Sequence, residues 1–294
     1  MRVLIVGCGY IGLALAEELA CQGHDVVGLR RTAPPLEPPA SGSIKLISAD
    51  ITDRAQLRRL PAEYDWVVNC AATRGGGVES YRHVYLEGMT NLVEWLSPAP
   101  PLKFIYTSST GVYGQTDGSV VNETSVTDPA SETARILVQA ERVLLDAAIS
   151  RNFPAIALRV AGIYGPGRGY WLQQLLNGAA QVEGEGTRVL NMIHRTDVVG
   201  AIMAALLRGR PGEVYNAVDD DPVPQLVLLQ WLSNRLGKPL PPKTASTQPE
   251  RKRGLTDKKV SNLKLKQELR YLFRYPSFRE GYEAEISRLD GQER

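Results

Sequence analysis

The chain has 294 residues, of which 43% are hydrophobic and 22% charged, and its formal net charge at pH 7 is +2. This charge is too small to indicate a nucleic-acid or membrane surface, and no apolar run approaches the length of a membrane span. The three cysteines predict neither a disulfide framework nor a metal site, and the first strand leaves no room for a signal peptide, so we expect a cytoplasmic protein.

The first predicted strand, Val3 to Val6, is a short apolar run that leads directly into a glycine motif. The motif G-x-G-x-x-G spans Gly7 to Gly12, and a run of helix-forming residues follows it. Between a strand and a helix, the three glycines allow a tight turn, close approach of a pyrophosphate, and packing of the helix on the strand. The N–H groups at the start of the helix favour phosphate binding. The predicted dinucleotide site therefore includes Gly7, Gly9, Tyr10, Ile11 and Gly12, and the alternative is a glycine-rich turn without a ligand.

The second predicted strand, Asp25 to Leu29, is followed by Arg30 and Arg31. In NAD-binding units this place, about 20 residues past the glycines, holds an acidic residue that binds the ribose 2′-hydroxyl. Two guanidinium groups suit a 2′-phosphate instead. The sequence therefore favours NADP(H) over NAD(H), and the alternative is a solvated basic loop.

Three further strands are predicted at Ile44 to Ser48, Asp65 to Cys70 and Leu102 to Tyr106. Their alternation with helical segments predicts an α/β fold with a doubly wound parallel sheet, as in Rossmann domains. Ligands bind at the carboxyl ends of such strands. We expect further cofactor contacts there from Asp50, Ile51, Ala71 and Ala72, with capping of the next helix as the alternative role of Asp50.

Four segments carry a family resemblance, beginning with Ser-Ser-x-x-Val-Tyr-Gly at Ser108 to Gly114. An Arg…Tyr-Gly-Pro-Gly segment ends at Gly167, an Ile-His…Asp-Val segment begins at Ile193, and a Gly-x-x-Tyr-Asn segment begins at Gly212. In this order they resemble the extended short-chain dehydrogenases/reductases, also called the NAD-dependent epimerase/dehydratase family. The resemblance covers nearly the whole chain.

The resemblance implies two domains and a homodimer. Residues 1–164 and 191–216 would form the Rossmann domain, and residues 165–190 and 217–294 a smaller C-terminal domain that binds a small-molecule substrate. Similar family members pair through the two helices predicted near residues 79–96 and 130–150. The basic segment from Arg251 to Asn262 resembles one that approaches a nucleotide-sugar diphosphate, with a solvated surface as the alternative.

The family's catalytic Tyr-x-x-x-Lys pair is missing from this chain. In that pair the lysine lowers the pKa of the tyrosine that exchanges a proton during hydride transfer. Alignment puts Thr133 at the tyrosine position and Leu137 at the lysine position, as in the atypical branch of the family.

Ser109 carries over directly as the family's active-site hydroxyl. Tyr85 occupies a place where the family shows asparagine, and Arg135 follows Thr133 on the same helix. The predicted catalytic set is Ser109, Thr133, Tyr85 and Arg135. Other candidates, each with a structural alternative such as capping or turn formation, are Tyr113, Tyr164, His194, Glu132 and Arg168.

Two functions follow from these observations. The first is an NADP(H)-using epimerase, dehydratase or reductase acting on a sugar-nucleotide-like or other small carbonyl or alcohol metabolite. The second is a non-catalytic NADP(H)-binding sensor or regulatory protein, which the missing Tyr and Lys favour. The intact Ser-Ser-Thr-Gly-Val-Tyr-Gly segment and the retained segments of the substrate domain favour the enzyme.

Overall fold

The computed structural model describes residues 1–32, 44–73, 75–244 and 256–292. The strands are β1 (Arg2–Val6), β2 (Asp25–Arg30), β3 (Ile44–Ser48), β4 (Trp66–Asn69), β5 (Lys103–Ser109), β6 (Val120–Val121), β7 (Ala155–Val160), β8 (Gly162–Tyr164), β9 (Val182–Glu183), β10 (Val189–Leu190), β11 (Met192–His194), β12 (Val214–Ala217), β13 (Val223–Pro224), β14 (Lys243–Thr244) and β15 (Lys259–Val260). The helices are α1 (Tyr10–Cys21), α2 (Arg54–Arg58), α3 (Gly77–Tyr81), α4 (Gly88–Leu96), α5 (Glu132–Arg151), α6 (Tyr170–Leu176), α7 (Arg195–Arg208), α8 (Gln225–Arg235), α9 (Leu263–Leu269) and α10 (Phe278–Gln292). None of the helices in the described ranges is long and apolar enough to cross a membrane.

Seven strands form one parallel sheet in the order β12-β7-β5-β4-β1-β2-β3. The predicted doubly wound α/β fold is therefore confirmed. The chain leaves β1 toward β2 and β3 on one side, and β4 begins the other side. Such a reversal of strand order opens a crevice at the carboxyl ends of the two central strands, and the glycine loop follows β1 at this point.

The helix predicted over residues 79–96 is continuous but not uniform. It starts at Gly77, and residues Arg82–Glu87 between α3 and α4 form a π-helical segment. The helix predicted near residues 130–150 begins at Glu132, because the Ser131 hydroxyl accepts a hydrogen bond from the N–H of Ala134 and caps the helix.

Two hydrophobic cores hold the chain together. The main core surrounds the seven-stranded sheet. The second joins side chains of α6, α8 and α10, among them Leu172, Leu229 and Phe278. Leu265 and Leu269 of α9 pack in the main core. The predicted division at residue 217 would assign them to the small domain, but α9 lies against α7 and β12.

One sequence-based prediction falls partly outside the described residues, namely the first part of the basic segment, residues 251–255.

Candidate functional site

A cleft of about 1150 Å³ follows the carboxyl edge of the sheet, from β2 and β3 across β1 and β4 to β5 and β7. Ten of the predicted cofactor residues line it: Gly7, Gly9, Tyr10, Ile11, Arg30, Arg31, Asp50, Ile51, Ala71 and Ala72. Gly12 lies beneath the lining. The residues predicted from separate strand ends therefore meet in one cavity, which is large enough for a dinucleotide and a small molecule.

The glycine loop fits a pyrophosphate. Gly7 has a φ of +80°, and a Cβ atom there would lie 2.5 Å from Cα of Ala71. A Cβ atom on Gly12 would lie 2.6 Å from the carbonyl oxygen of Gly7. At Gly9 the nearest atom to a Cβ position is 3.9 Å away, so a side chain would fill open space above the loop. Helix α1 has no side-chain cap and no acidic residue in its first turn, which leaves its N-terminal N–H groups to an anion.

Arg30 and Arg31 lie at one end of the cleft, where β2 ends. Within the described ranges neither guanidinium group forms an ion pair. Asp50 lies beside them, and its carboxylate accepts hydrogen bonds from the N–H and hydroxyl of Thr52. The capping role considered for Asp50 is taken by Asp53, which accepts from the N–H groups of Ala55 and Gln56 at the start of α2.

The opposite end of the cleft is formed by β5, β7 and the helices beside them. Ser109 and Tyr85 line it, together with Leu137 at the expected lysine position. Tyr81 also lines it, and its ring centroid lies 4.9 Å from that of Tyr85. The π-helical segment places Tyr85 in the wall beside α5. This end therefore combines two tyrosine rings and a leucine with the hydroxyl groups at the end of β5.

Two predicted catalytic residues are not part of the lining. Thr133 is buried, and its hydroxyl lies 3.5 Å from the hydroxyl of Ser131. The guanidinium group of Arg135 donates to the carbonyl oxygens of Pro129 and Ala130, at 3.1 and 2.6 Å. These contacts hold Arg135 to the turn that precedes α5.

A buried ion pair supports the end of β5. Arg159 and Glu141 are joined by three hydrogen bonds of 2.8 to 3.2 Å. The hydroxyl of Ser108, in the cleft wall, donates to Glu141 at 2.5 Å. Arg159 also donates to the hydroxyl of Tyr113, which donates to Asn216. The network fixes Ser108, and with it the strand end that carries Ser109.

The cleft contains two thiols, but neither is activated. Burial raises the pKa of Cys8 to about 11 and that of Cys70 to about 12. Both are therefore protonated at neutral pH, and thiolate chemistry is not supported.

The remaining candidates have structural partners. His194 caps α7, since its Nδ1 accepts from the N–H of Thr196, and its Nε2 lies 3.1 Å from Glu285. Tyr164 stacks on Tyr282 in the second core. Glu132 forms an exposed ion pair with Arg82. Arg168 is the exception, because it lines the cleft.

Two contributors to the site were missed from the sequence. Tyr81 has no motif that identifies it, and its role depends on the π-helical segment. Arg195 does not itself line the cleft, but its guanidinium carbon lies 4.9 Å from the ring centroid of Tyr10, which does. In the sequence, Arg195 is marked only by its place directly after His194 in the Ile-His…Asp-Val segment.

The model of the NAD dependent epimerase/dehydratase family matches residues 3–217. The chain belongs to this family. Protein YeeZ of Escherichia coli strain K12 is 30% identical over 225 residues, which cover 73% of this chain and 76% of YeeZ. A 3-diazoavenalumate denitrifying reductase from a Streptomyces species is 29% identical over 265 residues, 83% of this chain and 84% of the reductase. The structure of a functionally unknown conserved protein from Silicibacter pomeroyi superposes with a TM-score of 0.76 at 28% identity and covers 97% of this chain and 98% of that one.

Proposed function

We propose that this protein is an NADP(H)-dependent reductase that transfers a hydride to a small carbonyl compound. The observation that carries the proposal is a single cleft with a glycine loop in its middle, two arginines at one end, and Ser109 with Tyr85 at the other. Family membership and the similarity to a reductase support it.

The choice of cofactor rests on Arg30 and Arg31. A 2′-phosphate between them would form charge-assisted hydrogen bonds that a 2′-hydroxyl cannot replace. An acidic residue, which would repel a 2′-phosphate, is absent from both positions. NAD(H) use, as in the family's name, is the competing outcome.

The proposal of reduction rests on the similarity to a reductase and on a hydrogen-bond donor in the cleft. Among the described lining residues there is no histidine, lysine or glutamate, and Asp50 belongs to the end with the arginines. During hydride transfer the carbonyl oxygen of a substrate gains negative charge, and a serine hydroxyl can donate a hydrogen bond to it. When bound, NADPH would supply the hydride with its two electrons, and water would supply the proton that completes the hydroxyl group. Ser109 would hold the substrate oxygen, and Tyr85 would stand on the opposite wall.

The substrate end suits a planar, largely apolar molecule better than a sugar. Tyr81, Tyr85 and Leu137 offer aromatic and aliphatic surface in place of the family's asparagine and lysine. Sugars need polar partners for their hydroxyl groups, and buried hydroxyls left without partners weaken binding. We therefore expect an aromatic or α,β-unsaturated carbonyl compound.

One observation favours the second candidate, an NADP(H) sensor without turnover. Leu137 is 1% exposed and cannot tune the pKa of a neighbouring group. A protein that binds the cofactor but consumes none would fit this replacement.

Turnover distinguishes the two candidates. NADPH absorbance would be followed with a panel of aromatic and aliphatic aldehydes and ketones, using the wild type and Ser109→Ala. We expect oxidation of NADPH with at least one planar carbonyl, and a fall of about 100-fold in rate for Ser109→Ala. Cofactor affinity should stay within about twofold of wild type, since Ser109 does not touch the glycine loop. Binding without turnover across the panel would favour the sensor.

A further inference from the structure

The Tyr10 ring is flanked by two arginines from different parts of the fold. The guanidinium carbon of Arg168 lies 5.2 Å from the ring centroid, and that of Arg195 lies 4.9 Å from it. Tyr10 is the first residue of α1, directly after Gly9 of the glycine loop. Three segments therefore meet at the place where the loop would hold a pyrophosphate.

A tight turn brings Arg168 to this position. Gly165 and Arg168 exchange backbone hydrogen bonds of 2.7 and 2.9 Å, with Pro166 and the left-handed Gly167 between them. Gly165 itself has a φ of +141°, and a Cβ atom there would lie 3.2 Å from the hydroxyl oxygen of Tyr10. Glycine at this position allows the turn to approach Tyr10 closely.

In the described part of the chain neither Arg168 nor Arg195 forms an ion pair, and both guanidinium groups lie over the Tyr10 ring. The carboxylate of Glu285 also lies near Tyr10, but it is paired with Arg288 and His194. A cation–π contact at an exposed site contributes only about 0.5–1 kcal/mol. Two cations beside one ring also repel each other, and an anion that contacts both would relieve the repulsion.

The Tyr10 hydroxyl is a further sign of a polar ligand. Its oxygen is buried and has no hydrogen-bond partner within the ranges that the structure describes. Of the described residues with a buried side-chain oxygen or nitrogen that lacks a hydrogen-bond partner, Tyr10 is the one that lines the cleft. Native structures rarely leave such groups unpaired, so a missing partner points to a ligand or water.

We infer that Arg168 and Arg195, held on Tyr10, form a phosphate clamp that completes the pyrophosphate site opposite the glycine loop. The inference rests on the proposed cofactor. Guanidinium groups bind phosphate oxygens through paired hydrogen bonds, which a glycine loop alone cannot provide. Because Arg168 belongs to the turn that leads into α6, the clamp ties the second core to the bound cofactor.

The test compares two ligands that share one phosphate. NADPH contains a pyrophosphate and a 2′-phosphate, whereas adenosine 2′-monophosphate contains only the latter. Affinities would be measured by titration for the wild type, Arg168→Ala/Arg195→Ala and the control Arg142→Ala/Arg151→Ala, which removes two exposed arginines of α5. The control has the same net charge as the clamp variant.

We expect the clamp variant to bind NADPH at least about tenfold more weakly, a free-energy difference of about 1.4 kcal/mol. Its affinity for adenosine 2′-monophosphate should stay within about twofold of wild type, as should both affinities of the control. The thermal midpoint without ligand checks the fold of each variant. If the double variant does not fold, Arg168→Ala alone tests the clamp, because Arg168 is exposed.

Three outcomes count against the clamp. Unchanged NADPH affinity in the variant would overturn it. Equal weakening of both ligands would also overturn it, because the arginines would then act through the fold rather than on the pyrophosphate. Equal weakening of NADPH by the control would show a general charge effect and exclude a specific clamp. A wild type that binds neither nucleotide would instead refute the proposed function.

Discussion

At the scale of single residues, a sequence motif predicts those contacts that depend on neighbouring residues in the chain, but not those made by distant segments. Gly7 and Gly9 could be assigned because a glycine between a strand and a helix has few other uses. Arg195 could not, because only the packing of α7 against α1 brings it to Tyr10. Arg135 was predicted from its helix, but the two carbonyl groups that bind its guanidinium group depend on where that helix begins.

Asp219 provides a test of stability at this scale. It is 1% exposed, and its Oδ2 has no hydrogen-bond partner among the described residues. Burial, and then the nearby charges of Asp221, Asp220 and Asp197, raise the pKa of this carboxyl well above its usual value. The folded state therefore keeps the proton to higher pH than the unfolded state does, and stability falls as pH rises above about 4.

The variant Asp219→Asn should remove this loss. We expect it to be more stable than wild type at pH 7 by about 1–3 kcal/mol, with an advantage that shrinks toward pH 4. Urea unfolding at several pH values measures the difference. Parallel pH profiles for the two proteins would show that Asp219 is ionised in the folded state and that its environment stabilises the charge.

At the scale of elements, strand and helix positions followed from hydrophobic pattern, but local irregularities did not. The helix near residues 79–96 was predicted as one piece, and its π-helical segment was not, because a change from i→i+4 to i→i+5 bonding leaves no periodic trace over so few residues. This segment carries Tyr85 and follows Tyr81, so the least predictable element forms the end of the cleft at which we propose that the substrate binds.

The glycine loop can be tested with a matched pair of variants. Gly7 and Gly23 both have a φ of +80°, but a Cβ atom meets Ala71 only at Gly7 and has nothing within 4 Å at Gly23. Gly23→Ala should lose about 1 kcal/mol from the backbone conformation, and Gly7→Ala about 1–3 kcal/mol more from the clash. Urea unfolding measures both. Equal losses of stability in the two variants would show that the loop can move away from Ala71 without an energetic cost. The close contact between Gly7 and Ala71 would then not require glycine.

At the scale of the whole molecule, the alternation of strands and helices predicted the sheet, whereas the division into two domains came from the family resemblance alone. Short motifs lie at the carboxyl ends of strands, and the residues predicted from them line the cleft. They carry no information on α9, whose leucines pack on the main core. The domain boundaries and the homodimer through α4 and α5 remain predictions.

The two ends of the cleft depend on a bound cofactor to act together. Its two ends are served by different strands, and only a dinucleotide bound across the loop would connect Arg30 and Arg31 with Ser109. Both proposed functions need such a ligand, and the choice of NADP(H) rests on the arginines alone.

The most direct measurement is a fluorescence titration of the wild type and of Arg30→Ala/Arg31→Ala with NADPH and with NADH. We predict that the wild type binds NADPH at least about tenfold more tightly than NADH, and that the double variant abolishes the difference by weakening NADPH alone. The variant Arg142→Ala/Arg151→Ala, with the same change in charge, should keep the preference. Equal affinity of the wild type for the two nucleotides, or a preference for NADH, would contradict the assignment of the two arginines to a 2′-phosphate.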